Sequence, residues 1–443
     1  MRRSRAWRWV TWLGLGAVMT LVVAALAACG GDDDESEAPA TPGEASGSLR
    51  VVSNWTGAEG DAFAAVLDGF QEANPGVEIE SEEIPFDQTQ AQLAQQFAAG
   101  DPPDVSVALP GIVRQLAEQD QLMDLDDLWD EWIDDGSYTQ ALRDVAQAGV
   151  EGPTSSIYFK GNVNALIWYR TDELEALGGE VPETWDEFID LLDRAAEEGI
   201  RPVAVGGADE WPLTQWTDSI ILRVAGADAF NQLARGEIGW DDPRIVDSFE
   251  VFADLISNYF PPDALSASFV DETCSWADGK AAFTNQGAFV NLVAPAECDK
   301  SLQPGRDFTF FEMPKYDESA PDARFVSGDL FIGAKESENA EAAKALLAYL
   351  GSAEAQEIWA KRGGYIAPNA KVPPGAYPDV NDRKAAELWP KSDEVEAGYD
   401  LDDWIGGRVQ SEYRGALQQF VREPDVDAFI AKMTEVDTRS SEG

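Results

Sequence analysis

From Ser48 onward, short β-like runs alternate with amphipathic helical ones, and few architectures accommodate that order. "LRVVS" precedes a set at helical spacing (Phe63, Val66, Leu67, Phe70), and "VEIES" follows it. Leu93 and Phe97 mark a second helix, then come "DVSVAL" and a third helix carrying Ile112 and Leu116. Such alternation builds a mainly parallel sheet covered on both faces, and ligands of these sheets sit beyond the carboxyl ends of the strands. The pattern restarts after Leu166. In "PETWDEFIDLLDRAAEEG", Thr184 is the expected N-cap and Glu187 lies three residues on. Phe188, Leu191 and Leu192 form the apolar face, and Gly199 is the stop before the strand-like "PVAVGG". With 443 residues the chain is long for one domain, and the reading predicts two α/β lobes. Residues 48–165 and 312–390 are assigned to an N-terminal lobe, residues 166–311 and 391–443 to a C-terminal one.

Composition removes whole classes of function. The 82 Asp and Glu against 32 Lys and Arg leave a formal charge of -50, which repels nucleic acid, anionic lipid and phosphorylated ligands. There is no His, so Ser-His-Asp catalysis, His-metal sites and His proton shuttles are excluded. Residues 1–28 combine a basic start (Arg2, Arg3, Arg5, Arg8) with an uncharged apolar run and small residues, the pattern of an export signal. "LAAC" resembles the bacterial lipobox, which implies cleavage before Cys29 and a lipid on its sulfur. Residues 29–47 read as a lipidated Cys and a flexible acidic tether of roughly 25 Å root-mean-square span. The chain is thus expected outside the cell, anchored on the outer face of the cytoplasmic membrane. With Cys29 used, Cys274 and Cys298 form an even pair in an oxidising compartment and are expected as a disulfide.

The chain resembles the extracellular sugar-binding lipoproteins of carbohydrate ABC importers, and within them the alpha-glucoside-binding branch. "NWTGAEGDAF", "FAAGDPPDVSVALPGIVRQLAEQDQLMDLDDL", "GNVNALIWYRTDEL", "VPETWDEFIDL", "QWTDSIILRVAG", "DPRI", "FVSGDLFIG" and "GGYIAP" carry the resemblance across nearly all of the exported part. It implies a two-lobed, periplasmic-binding-protein-like fold of type II, with lobes joined by hinge crossings, that closes on one ligand without altering it. A neutral mono- or oligosaccharide and the transmembrane permease subunits are the implied partners. The protein is expected to act as a monomer, without cofactor.

A sugar offers a C–H ring face that stacks on an aromatic plane and an equator of hydroxyls that need fixed donors and acceptors. "NWTGAEG" offers Trp55 as a platform and Glu59 as an acceptor near a helix N-terminus, where its charge is stabilised. A plain structural turn is the competing reading. Asp104 heads a β-run after two prolines, facing the cleft or capping a strand edge. Lys160 and Asn164 fall where the family's chain crosses between lobes. Trp211 and Trp216 form an aromatic pair of which one is expected to stack on a ring, with core packing as the alternative. Family likeness places Phe289 near an aromatic contact, and core packing serves it equally. Asp329 interrupts an apolar β-run and needs a partner, for which a ligand hydroxyl is the candidate. Tyr365 and Trp404 complete the candidate ligand contacts. The acids beside Trp404 lack EF-hand spacing, and no metal is expected. Aromatics with acids also suit a quaternary ammonium such as a betaine, and paired carboxylates suit a glycoside hydrolase; surface adhesion is a further alternative.

Overall fold

The computed structural model describes residues 45–317, 319, 322–390 and 396–440; the expected export signal, Cys29 and most of the expected tether lie outside them. Among the described residues, ten strands form two sheets: β1 (Gly47–Ser53), β2 (Val77–Glu83), β3 (Val105–Ala108), β4 (Ser156–Val163), β5 (Leu166–Arg170), β6 (Arg201–Ala204), β7 (Ala281–Gln286), β8 (Phe308–Glu312), β9 (Ala323–Gly333) and β10 (Glu396–Tyr399). The first sheet runs β10-β9-β3-β1-β2 with β4 also on β9, and the second runs β6-β7-β5-β8. This is the two-lobed α/β architecture expected from the sequence. β1 lies parallel to both β2 and β3, as strand-helix-strand units demand, whereas β9 runs antiparallel to β3 and β4, and β5 antiparallel to β7 and β8. The antiparallel pairings arise where the chain crosses between lobes and returns.

Strand membership departs from the expected lobe boundaries near the C-terminus. β10 pairs parallel with β9 in the first sheet, while the helices after it bury Leu401, Tyr413, Leu417, Phe420 and Phe429 in the second lobe's core. Residues 380–388 rest on the second sheet, where Asn381 Nδ2 donates to the Phe308 carbonyl at 3.1 Å.

Period-two side-chain alternation sets the layers. On β5, Ile167 joins the core of Phe188, Trp216, Phe283 and Phe311, and its neighbour Trp168 faces the other way onto Trp276, Phe308 and Phe310. The helix Trp185–Glu197 starts with the reciprocal Thr184–Glu187 capping box that its sequence announces and buries Phe188, Leu191 and Leu192. Cys274 and Cys298 are bonded, with Cα atoms 5.0 Å apart, tying the helix Phe269–Ala277 to the end of the helical segment Ala294–Cys298.

On that same helix Glu272 is fully buried against β7, taking hydrogen bonds from Thr284 Oγ1 and from Gln286 Nε2 at 3.1 Å. Burial pushes its carboxyl up to about 8, against the pull of those hydrogen bonds. An unfolded Glu ionises near pH ~4.3 while the folded one keeps its proton, so this contribution to stability is complete below that value. It is lost as pH rises through about 8. Glu272→Gln should therefore flatten the fall of melting temperature across this window, with the gain over the parent largest on the alkaline side. Parallel melting profiles for the two proteins would refute the assignment.

Candidate functional site

β1 ends at Ser53, and the next three residues lead into the helix Gly57–Ala73. Gly57 opens this helix at φ +60°, and a Cβ there would stand 2.8 Å from Glu297 Oε1 of the second lobe. The left-handed backbone favours glycine here, and a larger residue would have to push the flexible Glu297 carboxylate aside. Glu59 lies in the first turn. In the first sheet Lys160 of β4 is in register with Asp329 of β9, and a shift in pairing between Tyr158 and Lys160 marks a bulge that re-aims the lysine. Lys160 Nζ sits 2.5 Å from Glu59 Oε1. It also lies 5.5, 5.9 and 5.2 Å from the ring centres of Trp55, Phe289 and Trp359. Asp329 accepts from Asn54 Nδ2 at 3.3 Å, with the Trp55 side chain as a second partner. Burial raises the Asp329 carboxyl above its ordinary value, and the Lys160 charge offsets part of that rise.

Phe289 belongs to the second lobe, immediately after β7, and brings further rings with it. Its centre lies 5.4 Å from Phe269 and 6.0 Å from Trp211. Trp211 in turn lies 6.2 Å from Phe86 at the head of the first-lobe helix Phe86–Ala99. Phe86, Trp211, Phe269 and Phe289 are only partly buried, so these ring faces bridge the two lobes at a surface still open to solvent. A second bridge lies nearby. The guanidinium of Arg114 sits 5.6 Å over the Trp404 ring and donates to the Trp404 carbonyl, and a Cβ on Gly111 would meet Gly406 Cα at 2.5 Å. The lobes thus meet beyond the carboxyl ends of β1, β2 and β3.

The structure brings Trp55, Glu59, Lys160, Phe289, Asp329 and Trp211 to one place. Trp55, however, is 4% exposed and packs on Phe63, Phe159, Phe331 and Trp359, so it forms the floor beneath Lys160 and offers no open ring face. Asp104 stands apart at the opposite end of β3, accepting from the Arg50 backbone N–H at 2.8 Å and from Ser337 Oγ. Asn164 is buried in the crossing between β4 and β5, donating to Ser327 Oγ at 2.9 Å, and so serves the hinge. Trp216 is buried against Phe260. Tyr365 stacks behind Trp359 and donates to the Phe159 carbonyl, a layer below the site. Trp404 lies at the Arg114 bridge.

Sequence reasoning missed Asn54, Phe86, Phe269 and Trp359. Phe86 carried a usable signal, an aromatic at the start of a helix just past the carboxyl end of a predicted strand, where ligands of such sheets gather. Trp359 carried none, because its contact with Lys160 joins residues 199 apart in the chain (359 − 160).

Fixed donors and acceptors on one wall and aromatic faces on the other, between α/β lobes joined by crossings, define a two-lobed solute receptor. The chain belongs to the family of bacterial extracellular solute-binding proteins, whose model matches residues 54–357. It is 27% identical over 373 residues to the osmoprotective compounds-binding protein GgtB of Synechocystis, covering 82% of this chain and 85% of that protein. To the alpha-glucosides-binding periplasmic protein AglE of Rhizobium meliloti it is 27% identical over 358 residues, covering 77% and 76%. Its fold matches the bacterial solute receptor AcbH at TM-score 0.79 and 22% identity, covering 89% of this chain and 98% of that one.

Proposed function

We propose that this protein is the substrate-binding component of an ABC sugar importer. It captures a neutral sugar of the alpha-glucoside type outside the membrane and passes it, unaltered, to the permease. Export, lipid attachment at Cys29 and action as a monomer belong to the same proposal. The observation that carries it is the facing of Lys160, Glu59 and Asp329 by the partly open rings of Trp211 and Phe289 across two lobes. Hydroxyls would take the charged groups as partners, and the rings would take the C–H face. The name of the relative AglE supports an alpha-glucoside ligand.

The three rings around Lys160 Nζ favour a second reading, since an aromatic cage also suits a betaine. That cage already holds the protein's own ammonium, which would repel a betaine's quaternary ammonium group. A melting-temperature screen against mono-, di- and trisaccharides and betaines separates the two. An alpha-linked disaccharide at 100 times its dissociation constant should add about 2.7 kcal/mol of apparent stability, with betaines inert. Stabilisation by a betaine alone would replace the proposal, and loss of intact disaccharide from the mixture would make the protein a hydrolase.

A further inference from the structure

Phe289, the second-lobe ring beside Lys160, opens a short segment, residues 289–298, whose two ends are fixed by different means. Just before it, the Ala288 N–H donates to Asn162 Oδ1 at 2.9 Å, and a Cβ on Gly287 would collide with the side-chain ends of Asn162 and Asn164. The chain is thereby pinned to the crossing between the lobes. At the far end Cys298 is bonded to Cys274 of the helix Phe269–Ala277. Between these points lie the helical turn Val290–Val293 and a wider turn closed by the Asp299 N–H on the Ala294 carbonyl at 3.1 Å. Helical pieces this short do not hold themselves in water, and a covalent tie supplies the order that they lack.

We propose that residues 289–298 form a strap seating the aromatic wall on the first lobe, with the Cys274–Cys298 disulfide as its positioning element. On the reading of this cleft as a sugar site, the disulfide then sets how tightly the sugar is held. The strap meets the first lobe along its length. Phe289 lies 5.9 Å from Lys160 Nζ. A Cβ on Gly364, which has φ +64°, would stand 2.6 Å from Leu292 Cβ and 3.3 Å from the Phe289 carbonyl oxygen, so only the bare backbone lets the strap lie this close. Glu297, next to the disulfide, brings its carboxylate to Gly57 at the start of the helix Gly57–Ala73, whose N-cap residue Thr56 makes no side-chain cap. Negative charge is favoured at that end of a helix.

The other arm of the disulfide carries the rest of the wall. Phe269 begins the helix that holds Cys274, and its ring lies 5.0 Å from Trp211 and 5.4 Å from Phe289. The bond therefore joins the two stretches of chain that present Phe269 and Phe289, and it fixes their spacing. A tie that served stability alone would act mainly on the unfolded chain and leave the folded wall where it stands.

The test compares the purified parent with the Cys274→Ala/Cys298→Ala double variant and with Glu297→Gln, all well below their melting temperatures. Hydrogen exchange without sugar should run about tenfold faster in the double variant across residues 290–299 and in the first-lobe peptide around Gly364, with parental rates kept in the helix Trp185–Glu197. Calorimetric titration with an alpha-linked disaccharide should show affinity weakened about tenfold, because the wall is no longer preorganised. Glu297 is exposed, so Glu297→Gln leaves the fold intact. It should weaken binding about two- to fivefold at low salt and less at high salt. A double variant that melts lower yet keeps the parent's exchange at Gly364 and the parent's affinity makes the disulfide a structural tie and overturns the proposal. If the double variant does not fold, parental affinity in Glu297→Gln at low salt overturns it instead. A parent that responds to no sugar would fault the reading of the function, and exchange at Gly364 would still decide the strap.

Discussion

Replacing Lys160 with Met is expected to destabilise the fold by about 3 kcal/mol and to abolish measurable sugar capture. The Lys160 side chain is 6% exposed and the Glu59 side chain 18%, at 2.5 Å, so the pair is largely desolvated. Deleting one partner of such a pair leaves a buried charge uncompensated, a change worth about 3–5 kcal/mol. Asp329 shares the loss, because the Lys160 charge is what offsets its burial. Adding Glu59→Gln should recover most of the stability while capture stays lost, since the double variant removes the unpaired charge and restores no donor. Urea denaturation reads the first quantity and calorimetric titration with the responding sugar the second. A Lys160→Met protein that binds sugar like its parent would separate this cluster from the function.

The lobes were legible in the sequence because each strand and helix announces itself through local spacing. The capping box at Thr184 and the apolar face at Phe188, Leu191 and Leu192 formed as the pattern required. Site residues were legible only where chemistry forced a partner. An acid such as Asp329 inside an apolar strand needs one, and the structure supplies Asn54 and Lys160. Aromatics carry no comparable signal, because an indole serves a core and a binding wall equally well. Trp55, Trp216 and Tyr365 are buried in packed clusters, while Trp211 remains partly open; burial, which the sequence does not record, separates them. Asp104 misled for a related reason. A carboxylate heading a strand meets the cleft or the far edge depending on strand direction, and here it lies at the amino end of β3, where it holds Arg50 and Ser337.

Gly111→Val should weaken sugar binding by roughly 100-fold, about 3 kcal/mol, while leaving the fold intact. A Cβ at this position would stand 2.5 Å from Gly406 Cα and 3.1 Å from Gly406 N. Both are backbone atoms, and a backbone has no rotamer with which to yield, so the contact between lobes does not survive the substitution. A receptor of this kind closes because its ligand touches both walls only when they meet, and converting a mostly open population to a mostly closed one takes about 5.5 kcal/mol of differential affinity. Blocking the approach at Gly111 forces the ligand to bind a wider cleft, with Trp211 and Phe289 on one side and Lys160 on the other no longer in reach together. Small-angle scattering at saturating sugar should then give a larger radius of gyration than the parent, alongside the weaker affinity. Gly415→Ala provides the comparison, since a Cβ there has nothing within 4 Å, and both measurements should match the parent. If Gly111→Val binds and compacts like the parent, the meeting of residues 111 and 406 is not part of closure, and the bridge at Arg114 and Trp404 loses its role with it.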